Sequence, residues 1–365
     1  MKTLTSKSLR FIPAALCLVL ALLAHHAGAT VLYWDNNEPN TPIGGTWDTI
    51  SLDWSASSVG GSPGVWNTAD AAGFCAGSTS AGTITITVNS AIALAGFFNG
   101  GSGQPACNLT LSTTGGGSLS MNSGLQGCYT AGTYSTLVSI PINGAGGVSV
   151  QGSGTLTLSA ANGYTGGTTV TAGSTLQINS PGTLGATVGA LTVSGTLDLG
   201  TTSQTAGAVT LSGGTIQNGT LTSGTSYSCA GGTISAKLAG SKVLTQTTGS
   251  STTTLNGVNT FTGGTTLNGG AGSVLVVGNG SACGTGTINF STAPTTIQAS
   301  GPGTTITFNN AVTLGASPGS GANLSGINEI FGAPSTANLT FTGNANSGGT
   351  TSKIIEANGI TRANS

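Results

Sequence analysis

The chain has 365 residues, of which 63 are glycine and only 4% are charged, a composition far from that of an ordinary globular domain. A hydrophobic content of 37% with a positive mean hydropathy argues against a solvated linker or disordered tail. Seven basic residues against eight acidic ones leave no basic patch to hold phosphates, so nucleic acid is not expected as a partner.

Residues 1–29 read as a cleaved export signal. Lys2, Lys7 and Arg10 form a basic head, Phe11 to Leu23 an apolar stretch, and Ala27-Gly28-Ala29 a small-residue cleavage pattern. The apolar stretch falls short of the roughly 20 residues that span a bilayer. Cys17 behind Leu16 makes a poor lipid-attachment signal. Cleavage removes three basic residues and both histidines, His25 and His26, so the mature part carries Lys237, Lys242, Lys353 and Arg362 against eight acids, a net charge of about −4.

Residues 30–80 form a tryptophan-rich amino-terminal region, expected to cap the fold. Trp34, Trp47, Trp54 and Trp66 stand beside Asp35, Asp48, Asp53 and Asp70. Two readings apply to them: an aromatic platform for glycan contact, or a plug over the open end of a stacked sheet, where strand edges would otherwise be unpaired. Polysaccharide-active enzymes need clustered carboxylates, and only this stretch brings several acids together, because Asp198, Glu329 and Glu356 stand apart. Gly60-Gly-Ser62-Pro-Gly64 and, later, Gly315-Ala-Ser317-Pro-Gly319 match the G-x-S-x-G pattern of serine nucleophiles. That elbow requires a strand-to-helix turn and a histidine base, and the mature chain offers neither.

Five cysteines follow the signal: Cys75, Cys107, Cys128, Cys229 and Cys283. In an oxidising compartment they favour disulfides, with one left over. Cys107 and Cys128 bracket a Gly/Ser-rich excursion and are the expected pair. No C-x-x-C motif, calcium nonapeptide or EF-hand spacing occurs, so neither a metal nor a cofactor is expected.

From residue 81 onward one theme repeats. Runs such as Ile84-Thr-Ile86-Thr-Val88, Leu156-Thr-Leu158, Leu191-Thr-Val193 and Ile306-Thr-Phe308 alternate apolar and polar residues between Gly, Ser, Asn or Thr turns. Alternation of period two sends one file of aliphatic side chains inward and one file of threonines outward. Runs this short must stack on neighbours to be stable. A longer unit sits above them: Asn162-Gly-Tyr164-Thr-Gly166-Gly167-Thr-Thr-Val170 recurs as Asn259-Thr-Phe261-Thr-Gly263-Gly264-Thr-Thr-Leu267, each followed by an apolar strand and a turn at Leu184-Gly185 or Cys283-Gly284. A degenerate third copy runs from Leu339 to Ile355. Such periodicity predicts a solenoid. The glycine pairs are expected to supply positive φ, with Tyr164 or Phe261 capping the turn. With roughly 20 residues and about 4.8 Å per coil, the rod would reach the order of 80 Å.

Ser235 with Lys237, Ser241 with Lys242 and Ser352 with Lys353 are the available Ser–Lys pairs, and all read as solvated turns. No G-x-G-x-x-G or Walker pattern is present. Catalysis is therefore not expected.

These residues resemble the autotransporter-associated β-strand repeat, also called the passenger-associated transport repeat, most closely over residues 156–185 and 255–288. The resemblance implies an all-β fold, a right-handed parallel β-helix, exported and displayed on the surface of a Gram-negative-type bacterium. It implies a structural or adhesive passenger, with surface glycans or other cells as partners. A glycan-binding module built on the tryptophans is the alternative, and a polysaccharide-active β-helix enzyme the third. A transporter barrel would need many further strands of about ten residues; none follows before Ser365, so the membrane is expected to be met only through a transporter outside this chain.

Overall fold

The computed structural model describes residues 30–34, 44–57, 62–68, 70–75, 82–100, 106–247, 249–269, 272–291, 295–301, 305–314, 338–341 and 345–347. The expected export signal and most of the third repeat copy lie outside them. Among the described residues every regular element is a strand.

The strands assemble into stacked parallel coils, a β-solenoid. One sheet of 16 strands and another of 12 run the length of the described chain, and successive turns of the chain add alternately to each. The register is regular. On the second sheet Leu156 pairs with Leu176, Leu176 with Leu197, Leu197 with Ile216, Ile216 with Ile234 and Ile234 with Leu255. Each step advances 18–21 residues, so one coil takes the length predicted from the repeat.

Period-two alternation decides which residues face inward. In Thr83–Val88 the three apolar side chains Ile84, Ile86 and Val88 are buried while Thr83 and Thr85 are exposed. Parallel pairing in register then places each aliphatic directly over its counterpart in the next coil. Each such side chain contributes about 1.5–3 kcal/mol of burial, and the ladder hydrogen bonds satisfy the backbone at every rung.

A third, shorter sheet of Ala91–Leu94, Ser118–Met121 and Ile142–Gly144 closes the early coils on their remaining side. After Gly144 that face has no regular strand for the next two coils, where side chains take over part of the backbone pairing; it is laddered again where Ser203–Leu211 begins to pair with Thr220–Cys229, and Thr220–Cys229 with Lys237–Ala239.

The tryptophan-rich segment is continuous with the stack. Val31–Trp34 and Ala71–Phe74 are parallel rungs of the first sheet, and Gly45–Trp47 pairs with Thr83–Val88 in the second. Trp54–Ser55 runs antiparallel along Val31–Trp34 and occupies the outer edge of the first sheet. A strand of opposite direction ends a parallel ladder without offering a further parallel edge, which suits a cap.

Candidate functional site

The tryptophans of the cap point inward. Trp34 and Trp66 are 6% and 3% exposed, and Trp47 and Trp54 are essentially sealed from solvent. Their rings pack on one another and on Phe74, with centroids 4.9 Å apart for Trp47–Trp54, 4.6 Å for Trp54–Trp66 and 5.7 Å for Trp47–Phe74. Trp66 Nε1 donates to the carbonyl of Ala93, 3.0 Å away. A sugar platform needs an open ring face. The expectation of glycan contact through Trp34, Trp47, Trp54 and Trp66 is therefore corrected: these indoles plug the end of the core, because among the described residues no earlier coil covers the apolar file of the first coils.

The acids near them serve the fold. Asp48 accepts from Ile50 N–H at 2.9 Å, from Ser51 N–H at 2.6 Å and from the Ser51 hydroxyl at 2.9 Å, closing its own turn. Burial raises its pKa, but these three hydrogen bonds outweigh that and hold the carboxyl below its ordinary value. Asp53 is held above its ordinary value by burial and by the charge of Asp48. Asp70 is buried and accepts from the backbone and hydroxyl of Thr30. Asp35, Glu38, Glu329 and Glu356 lie outside the described residues, as do Ser317, Ser352 and Lys353. Ser62, Ser235 and Lys237 are exposed. Among the described residues no three His, Cys, Asp or Glu side chains gather as metal ligands would.

The expected Cys107–Cys128 disulfide is also corrected. Cys107 is joined to Cys75, with Cα atoms 5.8 Å apart, and Cys128, Cys229 and Cys283 are buried free thiols. Coil register is the reason. Phe74 pairs with Asn99, and the Asn99 amide donates to the Cys107 carbonyl at 2.7 Å, which brings the segment of Cys107 beside Cys75. Cys128 instead points into the core between Phe97 of one neighbouring coil and Val150 of the other, where no cysteine stands.

The repeat motif is where the structure is most specific. The Asn162 carboxamide oxygen accepts from Ile142 N–H of the previous coil at 2.8 Å, and its amide nitrogen donates to the Thr183 carbonyl of the next coil at 2.7 Å. Asn259 repeats the arrangement, accepting from Leu238 N–H at 2.7 Å and donating to the Ala282 carbonyl at 2.7 Å. Each asparagine is buried and ties three successive coils together on the third face, where its ladder is interrupted. Gln204, whose amide accepts from Leu184 N–H, and Asn310, which donates to the Gly284 and Gly286 carbonyls, add related clamps on the same side. Sequence reading singled out Asn162 and Asn259 without finding this role and passed over Gln204 and Asn310. A buried amide at the residue before an irregular corner was the available signal.

Tyr164 and Phe261 lie inside the core and do not cap the outside of the turn. The Tyr164 hydroxyl bonds the Thr168 hydroxyl at 2.7 Å; in the second copy, which has no phenol, the Thr265 hydroxyl donates to the Cys283 carbonyl at 3.0 Å. The glycine pair divides its work. Gly167 and Gly264 have φ of 87° and 83°, the left-handed region expected of them. Gly166 and Gly263 do not; a methyl group on either would run into the backbone of Gly147 or of Lys242–Val243, so no side chain would fit.

The model of the passenger-associated-transport-repeat family matches residues 149–178 and 247–271, overlapping the two stretches expected from the motif, beginning and ending upstream of each, and containing the glycine pairs Gly166-Gly167 and Gly263-Gly264. The chain carries that repeat. It is also 32% identical over 191 residues to the adhesin BmaC autotransporter of Brucella suis biovar 1 (strain 1330). That alignment takes in 49% of this chain and 5% of the far longer adhesin. No solved structure matches.

Proposed function

We propose, from a chain that carries passenger-associated transport repeats on a continuous β-solenoid, that this protein is an exported passenger displayed at the surface of a Gram-negative-type bacterium, where it acts as a non-catalytic stalk or adhesive element. The observation that carries this reading is the continuous parallel pairing of both sheets through the two matched repeats, with one register shift between them at Ala206/Ala208. Such a stack is an extended, nearly uncharged scaffold in which Asp48, Asp70 and Asp198 are engaged in turns and the cap. The relative named an adhesin supports the adhesive part.

The partner class is a surface glycan or another cell. Contact falls on the outward threonine, serine and asparagine flanks of the coils, since the indoles are buried.

The test uses cells expressing the chain with its native neighbouring coding sequence. Protease shaving and antibody binding on intact cells should reach the solenoid, and cells should bind glycan-coated or cell-coated surfaces more than a deletion strain does. Retention of the protein inside the envelope would refute display. Turnover of pectin-like or sulfated polysaccharides by the purified protein would refute the non-catalytic part.

A further inference from the structure

On the first sheet, one inward file runs Val150, Val170, Val193, Leu211, Cys229, Gln246, Leu267, Phe290, each paired in register with the next. Every member is apolar except Gln246. Its side chain is fully buried, and neither its carboxamide oxygen nor its nitrogen meets a hydrogen-bonding group of the protein. Ser273, at the start of a strand of the second sheet, is equally buried, and its hydroxyl is equally unpartnered. Both lie close to Gly269. A methyl group placed on Gly269 would run into Ser273 Oγ and lie 3.8 Å from Gln246 Cγ, so the Ser273 hydroxyl takes the room this glycine leaves, beside the stem of Gln246.

We infer that Gln246 and Ser273 hold an internal water molecule near Gly269. Buried polar groups are seldom left unpaired, and isolated polar pockets in protein cores are filled by ordered water making two to four hydrogen bonds. The chemistry of the three atoms selects the occupant. Gln246 Oε1 needs a donor, its Nε2 needs an acceptor, and the Ser273 hydroxyl serves as either. A cation would leave the amide nitrogen unsatisfied, and an anion would leave the amide oxygen so. No carboxylate stands anywhere between Asp198 and Glu329 to balance a cation. Water alone of these answers all three. Other buried amides do not need it: Gln126 donates to the Ser123 carbonyl at 2.7 Å, and Gln204 bonds the backbone on both its oxygen and its nitrogen.

Two measurements on the purified solenoid test this. A crystal structure at a resolution that shows solvent should contain a peak within hydrogen-bonding distance of both Gln246 and Ser273; an empty or lipid-like apolar gap there overturns the inference. In urea unfolding, Ser273→Ala should lower the midpoint in the native background and leave it unchanged, or raise it, in a Gln246→Leu background. Equal shifts in both backgrounds would mean that the two side chains share no bridging molecule and would also overturn it. Gln246→Met replaces Gln246→Leu if the branched side chain prevents folding.

Discussion

Gly185 lies against the ring of Tyr164 in the preceding coil, so closely that a methyl group on it would sit 2.7 Å from Tyr164 Cδ2 and 2.6 Å from the Tyr164 carbonyl oxygen. Ala186 N–H, the next donor, bonds that same carbonyl at 2.9 Å. Gly284 stands in the same relation to Phe261, with Thr285 N–H on the Phe261 carbonyl at 2.9 Å. The aromatic of one repeat unit and the turn glycine after the next two strands are thus two halves of one joint between coils, and the motif is read across coils and not along the chain.

This joint separates packing from backbone strain. Gly185 and Gly173 both have positive φ, 75° and 83°, but the site of a Cβ on Gly173 is open. Gly173→Ala should cost only the strain, roughly 1–2 kcal/mol. Gly185→Ala should cost about 1–3 kcal/mol more, because the ring beneath it has nowhere to move. Urea unfolding midpoints of the two variants check the order; equal losses would show that the contact with Tyr164 is soft.

Asn162 makes a second test. Asn162→Leu keeps the size but strands Ile142 N–H and the Thr183 carbonyl. Two buried orphans should lower stability by about 2–4 kcal/mol. Asn162→Asp keeps the acceptor for Ile142 and, while protonated, a donor toward the Thr183 carbonyl; ionised, it sets a buried carboxylate oxygen against that carbonyl, so its stability should fall as pH rises through the carboxyl's folded pKa. Hydrogen exchange should show the Ile142 amide opening first in Asn162→Leu and staying protected in Asn162→Asp.

Asp198 gives stability a pH dependence. Burial pushes its pKa up, but hydrogen bonds from Asn218, Gly200 and Gln217 outweigh this and hold the folded carboxyl below its ordinary value. A carboxyl depressed in the folded state stabilises above its unfolded pKa, and that contribution fades as pH falls through the folded value. Stability should therefore drop as pH is lowered through and below the ordinary carboxylate range. Asp198→Asn should show a shallower drop than wild type in thermal unfolding followed against pH.

The three free thiols should be silent in the native state. Burial pushes Cys229 and Cys283 up to about 12 and raises Cys128 as well. The thiolate is the reactive form, so iodoacetamide should leave Cys128, Cys229 and Cys283 unmodified in the folded, non-reduced protein and label each of them after unfolding. Native labelling at Cys128 in intact-mass spectra would contradict its placement between Phe97 and Val150.

The tryptophan plug predicts an optical signature. With all four indoles buried, native emission should lie well to the blue of the unfolded chain and resist iodide quenching. Trp54→Ala should remove about 3–5 kcal/mol, seen as a lowered unfolding midpoint. Emission at the position of solvated indole would mean the plug is open.

Much of this was legible in the residues themselves. Alternating runs such as Ile84-Thr-Ile86-Thr-Val88 dictate strands with one buried face, and runs too short to stand alone dictate stacking, so fold class and coil length follow from the chain. The glycines of the repeat marked its corners. Other features were not legible, because they depend on which coil lies against which. Disulfide partners in a solenoid are chosen by vertical register, so Cys107 found Cys75 and not the nearer Cys128 in sequence. Whether four tryptophans faced solvent or one another depended on how the first coil closed.

The sequence by itself determined a parallel stack of β coils and where its turns fall, because side-chain alternation and glycine placement are local constraints. Only the tertiary structure decided that Asn162 clamps three coils, that Gly185 seats on Tyr164 and that the indoles plug the end, since each of these joins residues about one coil apart or more, whose meeting is fixed by register and by nothing in their immediate neighbours.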